Sequence, residues 1–143
     1  MRKFVLGAAS LVAAATLALA PAFAEETKFM ATLSGAEEVP PVETAATGTA
    51  DVTWNSETKE LSWTIEFTGL SGAATAAHFH GPADPGANAD PVVGIEDLES
   101  PSEGTVALTD EQAADLAAGK WYVNIHTEAN PGGEIRGQVT AGM

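Results

Sequence analysis

Two stretches of strict two-residue alternation limit what this chain can fold into. From Gly48 to Trp54 the apolar side chains fall at Ala50, Val52 and Trp54, with Thr49, Asp51 and Thr53 between them. From Leu61 to Phe67 they fall at Leu61, Trp63, Ile65 and Phe67, with Ser62, Thr64 and Glu66 between them. Successive side chains of a strand point to opposite faces, so each stretch reads as a strand with one face toward a core and the other toward water. The polar run Asn55-Ser-Glu-Thr-Lys59 separates them, and the pair reads as a hairpin.

The same period recurs along the chain. Lys28 to Leu33 places Phe29, Ala31 and Leu33 on one face. Ala74 to His80, Val92 to Ile95 and Gly104 to Leu108 are further short strand candidates. The last hairpin runs from Lys120 to Thr127, turns through Asn130-Pro-Gly-Gly133, and returns from Glu134 to Thr140. One helix is expected near 110–118. Thr109-Asp-Glu-Gln112 matches a capping box, Ala113, Leu116 and Ala117 follow at helical spacing, and Gly119 stands at the C-terminal cap. Short strands with one short helix predict an all-β, antiparallel sandwich or barrel. Its inward side chains should include Trp54, Leu61, Trp63, Ile65, Phe67, Phe79, Val123, Ile125 and Val139.

The first 24 residues read as a secretory signal peptide rather than as part of the fold. Arg2 and Lys3 precede an apolar run from Phe4 to Leu19, and Ala22-Phe23-Ala24 is a cleavage site. The run is short for a spanning helix and ends at Pro21, so no membrane span is expected after cleavage. A single domain is expected over 25–143, located in the periplasm or secreted. Twenty acidic residues face six basic ones over the whole chain. Two of the basic ones leave with the leader, and the remaining surface repels nucleic acid and attracts cations. There is no cysteine. The fold must therefore hold without a disulfide, and any metal must be bound by nitrogen and oxygen.

The three histidines fall in two strand candidates, Ala77-His78-Phe79-His80-Gly81 and Tyr122-Val-Asn-Ile-His126-Thr127. His78 and His80 share a face, opposite to Phe79. Tyr122, Asn124 and His126 share a face, opposite to Trp121, Val123 and Ile125. With Phe79, Val123 and Ile125 inward, all three imidazoles point outward and can converge if the strands are close. Neutral imidazole is the commonest protein ligand of Zn²⁺ and Cu²⁺, so His78, His80 and His126 are the candidate metal ligands. Ordinary strand histidines held by hydrogen bonds are the alternative. Glu134 and the Glu37/Glu38 pair are the nearest motif carboxylates, and Glu134 equally suits a cross-strand ion pair with Arg136 or Lys120. Asp84, Asn88 and Asp90 alternate oxygen donors, but the glycine is misplaced for a calcium hand and no glutamate closes the loop, which reads as a solvated turn. No G-x-S-x-G elbow is present, and no catalytic residue is assigned.

Four segments together carry a resemblance. Ala36-Glu-Glu-Val-Pro-Pro-Val42, Ala46-Thr-Gly-Thr-Ala50, Ala77-His-Phe-His-Gly-Pro-Ala83 and Tyr122-Val-Asn-Ile-His-Thr-Glu-Ala-Asn-Pro-Gly-Gly-Glu-Ile-Arg-Gly-Gln138 resemble the CHRD domain, named from the chordin proteins and found widely in exported bacterial proteins. The resemblance spans about Phe29 to Val139. It implies an immunoglobulin-like or superoxide-dismutase-like β-sandwich. Copper-zinc dismutases carry copper on a His-x-His strand and a late histidine, which His78, His80 and His126 resemble. This chain has no further histidine to bridge to zinc and no disulfide, so a mononuclear copper site is what the likeness implies.

Three functions follow as expectations. The first is a transition-metal binder, with copper favoured and zinc as the alternative, used for buffering, delivery or tolerance. The second is an adhesion or interaction module with an unidentified protein partner. The third is a minor copper-dependent redox enzyme. The leader gives the first test: mature protein from the secreted or periplasmic fraction should begin at Glu25, and N-terminal sequencing that returns Met1 there would contradict it.

Overall fold

The computed structural model describes residues 12–16 and 25–142. The expected leader, apart from 12–16, lies outside the described residues. Among them are eight strands: β1 (Glu26–Ser34), β2 (Thr47–Asn55), β3 (Glu60–Thr68), β4 (Ala74–His80), β5 (Pro91–Gly94), β6 (Ser102–Ala107), β7 (Trp121–Thr127) and β8 (Ile135–Ala141). One helix, α1 (Asp110–Ala117), precedes β7. No described helix is long and apolar enough to cross a membrane.

The strands form a single hydrogen-bonded sheet in the order β5-β4-β7-β8-β1-β2-β3-β6. Every neighbouring pair is antiparallel. In a flat sheet β3 and β4, five steps apart, would be separated by about 24 Å. The Trp63 ring on β3 instead lies 5.2 Å from the Phe79 ring on β4. The sheet therefore curls round its own apolar face. Its two edge strands, β5 and β6, follow one another in the chain. The segment between them bonds to both sides of the gap: Ile95 donates to the Ala77 carbonyl, and Ser100 Oγ accepts from the Phe67 amide. The result is an all-β, nearly closed barrel-like sheet with one short helix. The ladder runs unbroken through eight strands, whereas the immunoglobulin-like or dismutase-like sandwich implied by the resemblance would divide them between two sheets.

The alternation read from the sequence sets the core. Trp54, Leu61, Trp63, Ile65, Phe79, Val123, Ile125 and Val139 are all buried. Phe67 is only half-buried at the rim of the core. The β2–β3 hairpin pairs Val52 with Trp63 and Ala50 with Ile65. Asn55 Oδ1 accepts from the amides of Glu57 and Thr58 at 3.0 Å and closes its turn. The helix forms with both halves of its capping box: Thr109 Oγ1 accepts from the Gln112 amide, and Gln112 Oε1 from the Thr109 amide. Leu116, fully buried, anchors it to the sheet. Gly119 follows at φ +73°, a conformation glycine adopts freely.

Trp63 is the central packing element. Gly104, its partner on β6, lies against the indole so closely that a Cβ there would overlap the ring. Trp63→Ala should cost about 3–5 kcal/mol by urea unfolding. Phe67→Ala should cost clearly less, because the ring is half in water already. Equal losses at the two positions would contradict this assignment of the core.

Candidate metal centre

The face of β4 and β7 that the alternation turns away from the core is not open to water. Tyr122 and Asn124 are 3% exposed, and His80 is 7% exposed. Arg136 and Glu134 are also buried. The side chains do point away from the core, but segments 35–45 and 81–90 fold over them.

Arg136 holds the second of these covers. Its guanidinium lies 3.5 Å from the centre of the Tyr122 ring, Nη1 donates to Asn88 Oδ1, and Nη2 to the Ala87 carbonyl. His80 stacks on Tyr122 from the neighbouring strand, with ring centres 4.8 Å apart and planes 5° from parallel. Tyr122 is thus stacked between a guanidinium on β8 and an imidazole on β4. Ala89 closes the arrangement: its carbonyl accepts from Tyr122 Oη, and its amide lies 3.1 Å from the same oxygen. The loop that offered oxygen donors at Asp84, Asn88 and Asp90 is spent on this cover. Asp84 pairs with Lys120, and Asn88 binds Arg136 and the Val39 carbonyl.

The strand register brings the histidines together. His78 is opposite Asn124, His80 opposite Tyr122, and His126 opposite Ala76. His126 is therefore the diagonal neighbour of His78. One ring nitrogen from each histidine lies within 4.8 Å of the other two, a cluster that could hold a metal ion. The tautomers follow from the partners. His80 Nδ1 lies 2.9 Å from the Ala89 carbonyl, and His126 Nδ1 lies 2.9 Å from the Pro131 carbonyl. A carbonyl only accepts, so both Nδ1 atoms carry the proton and both Nε2 atoms present a lone pair. His126 Nε2 accepts a hydrogen bond from His78 Nδ1 at 3.3 Å. His80 Nε2 is buried and has no partner among the described residues.

Two of the imidazoles, those of His78 and His80, are biased toward the neutral form. Desolvation, then the neighbouring His126, lowers the pKa of His78, against an opposing pull from Glu96. Desolvation lowers that of His80 as well; its bond to Ala89 opposes the shift, while His78, His126 and Arg136 add to it. Neutral imidazole is the form that binds metal.

The carboxylates singled out from the sequence take other roles. Glu134 does not reach the histidines, nor does it pair with Arg136 or Lys120. It accepts from the Ser71 amide and hydroxyl, Thr127 Oγ1, Asn130 Nδ2 and Thr44 Oγ1, tying down the turn after β7. Burial pushes its carboxyl up, but these hydrogen bonds together push it further down, below the ordinary range. Glu38 accepts from Asn124 Nδ2 beneath the first cover. Gly133 at φ +122° leaves the room for both, since a Cβ there would strike Asn124 and Glu38. Glu37 stays exposed. What the sequence reading missed is the pair of backbone carbonyls, Ala89 and Pro131, that fix the ligand tautomers, and the stacking role of Tyr122.

Glu38 titrates near neutrality. Burial raises its pKa from 4.5 to about 7, against the Asn124 hydrogen bond and the attraction of Arg136. A folded-state pKa raised in this way gives stability that is complete below about 4.5 and is lost as pH rises through about 7. Replacing Glu38 by Gln should therefore become more favourable between pH 5 and pH 8, by about 1–3 kcal/mol in unfolding free energy. A difference independent of pH would contradict it.

No curated protein and no solved structure matches the chain. A family model described as the CHRD domain matches residues 29–139, from the core position Phe29 on β1 to Val139 on β8, and takes in every residue of the histidine cluster and its covers. The chain belongs to the CHRD domain family.

Proposed function

We propose that this is an exported CHRD-domain protein that binds a transition metal through His78, His80 and His126, with copper favoured and zinc the alternative, for buffering, delivery or tolerance. The observation that carries the reading is the lone pair of His80 Nε2, buried without a partner beside two further imidazoles. A buried polar atom left unbonded costs about 1–3 kcal/mol, and an ion at this point would remove that cost. Nitrogen ligands around Zn²⁺ at 2.0–2.1 Å stand about 3.3 Å apart in a tetrahedron and about 4.1 Å when trans. The spread of 4.8 Å closes to either with small side-chain rotations. An ion held by His78 Nδ1 would take the place of the proton there, and His78 would then carry its hydrogen on Nε2.

Copper is favoured because Cu²⁺ heads the affinity order for nitrogen ligands, and with no cysteine there is no thiolate to select Cu⁺ or an iron–sulfur cluster. Export rests on the sequence of residues 1–24, which also makes 25–143 the mature domain and the periplasm or the medium its location. The second reading, an interaction module with structural histidines, draws on the His78–His126 hydrogen bond, which satisfies those two rings without metal. A dismutase assay of metal-loaded protein addresses the redox alternative.

Titration with Cu²⁺ followed by electron paramagnetic resonance separates the readings. Each single His→Ala variant should weaken binding at least about tenfold, or about 1.4 kcal/mol. Protons compete with the ion for the same lone pairs, so binding should weaken as the pH falls, and the resistance of His78 and His80 to protonation should delay that loss. A triple Ala variant that binds as tightly as the parent would overturn the metal reading.

A further inference from the structure

We propose that Glu96 supplies an oxygen ligand that completes the histidine cluster as a three-imidazole, one-carboxylate site for a divalent ion. This rests on the metal reading above. The argument begins with register. β5 runs antiparallel to β4 with Gly94 opposite His78 and Val93 opposite Phe79. The Ile95 amide donates to the Ala77 carbonyl at 3.0 Å, so the pairing continues one step past β5. The next step brings Glu96 level with Ala76. On the other flank of β4, His126 pairs with that same Ala76. Two-residue alternation puts Gly94 and Glu96 on the face of Ala76, His78 and His80. His126 and Glu96 therefore flank one small residue from either side, directly beside His78.

The second observation is where the Glu96 side chain goes. Gly94 has no side chain to fill the space opposite His78. Glu96 folds back into that space, with Oε1 3.4 Å from the point a Cβ on Gly94 would occupy. Cβ atoms of directly opposed residues lie about 4.5–5.5 Å apart, so the carboxylate lies on the His78 side of the strand pair, outside the 4.8 Å cluster of the three ring nitrogens. Its charge is felt there, raising the proton affinity of His78 against desolvation. Glu96 is exposed and free of a hydrogen-bond partner among the described residues, so rotation about its side-chain bonds can carry it onto an ion. Two of the three motif carboxylates are engaged elsewhere, Glu38 by Asn124 and Glu134 by Ser71, Thr127 and Asn130, and the third, Glu37, is exposed.

The chemistry of the added ligand narrows the ion. Three neutral imidazoles leave a dication uncompensated, and a carboxylate removes one unit of its charge. Hard oxygen beside imidazole suits Cu²⁺ or Zn²⁺ and disfavours Cu⁺.

The test measures Cu²⁺ affinity by chelator competition, together with the electron paramagnetic resonance spectrum, for the parent chain, Glu96→Gln, Glu96→Asp and Glu57→Gln at one ionic strength. Glu57 lies in the β2–β3 turn and controls for net charge. Both Glu96 variants should bind about tenfold more weakly with a changed copper spectrum, while Glu57→Gln matches the parent. The aspartate keeps the charge but is one carbon too short to reach. Parental affinity and spectrum in Glu96→Gln would overturn the assignment. So would parental behaviour in Glu96→Asp alone, which would reduce Glu96 to a nearby charge. Failure of the parent itself to bind Cu²⁺ in a histidine-dependent way would instead overturn the metal reading, and this inference with it.

Discussion

The Arg136 guanidinium against the face of Tyr122 is the contact on which the second layer of this protein depends. A β-sheet that curls round one apolar core needs nothing on its outer face. Here the outer face of β4, β7 and β8 carries a buried polar layer, and Arg136 holds its cover in place through Asn88 and Ala87. The charge is almost wholly out of water, at 2% exposure. Removing an ion from water is costly, and the cost is offset by cation–π contact and by hydrogen bonds that use the fork of the guanidinium. Glu38, close enough to feel this charge, is the group that would compensate it at higher pH.

That layer makes three strand histidines into a cluster with defined lone pairs. The loop under Arg136 brings the Ala89 carbonyl to His80, and the turn clamped by Glu134 brings the Pro131 carbonyl to His126. Both contacts put the proton on Nδ1 and leave Nε2 unprotonated. Stacking on Tyr122 fixes the plane of His80. Partners of this kind orient a ring and raise its basicity toward an ion, as outer contacts do in metal proteins generally. The family motifs thus divide their work. The His-x-His segment and His126 provide nitrogen, while Asn130-Pro-Gly-Gly-Glu134 and Arg136 hold it in position.

Much of this was legible in the sequence, for a physical reason. Strands with one buried face must alternate, so the β2–β3 hairpin, the last hairpin and the inward residues from Trp54 to Val139 could be read directly. The capping box at Thr109 is local chemistry and was equally legible. Parity also placed His78, His80 and His126 on one face. The cover could not be read. Whether Tyr122, Asn124 and Arg136 meet water depends on where segments 35–45 and 81–90 fold, and loop paths leave no periodic trace. Glu134 was misjudged for the same reason, since its partners Ser71 and Thr44 come from distant loops. Glu96 lies two residues past a four-residue strand, and only the register of β5 on β4 brings it to the histidines.

A crystal structure of the copper-loaded protein, with anomalous data on both sides of the copper absorption edge, tests the central claim most directly. The account predicts one dominant copper peak on the outer face of β4, bonded to His80 Nε2, His126 Nε2 and His78, with the Ala89 and Pro131 contacts intact. Copper scattered over surface carboxylates, with His80 Nε2 still unligated, would contradict it.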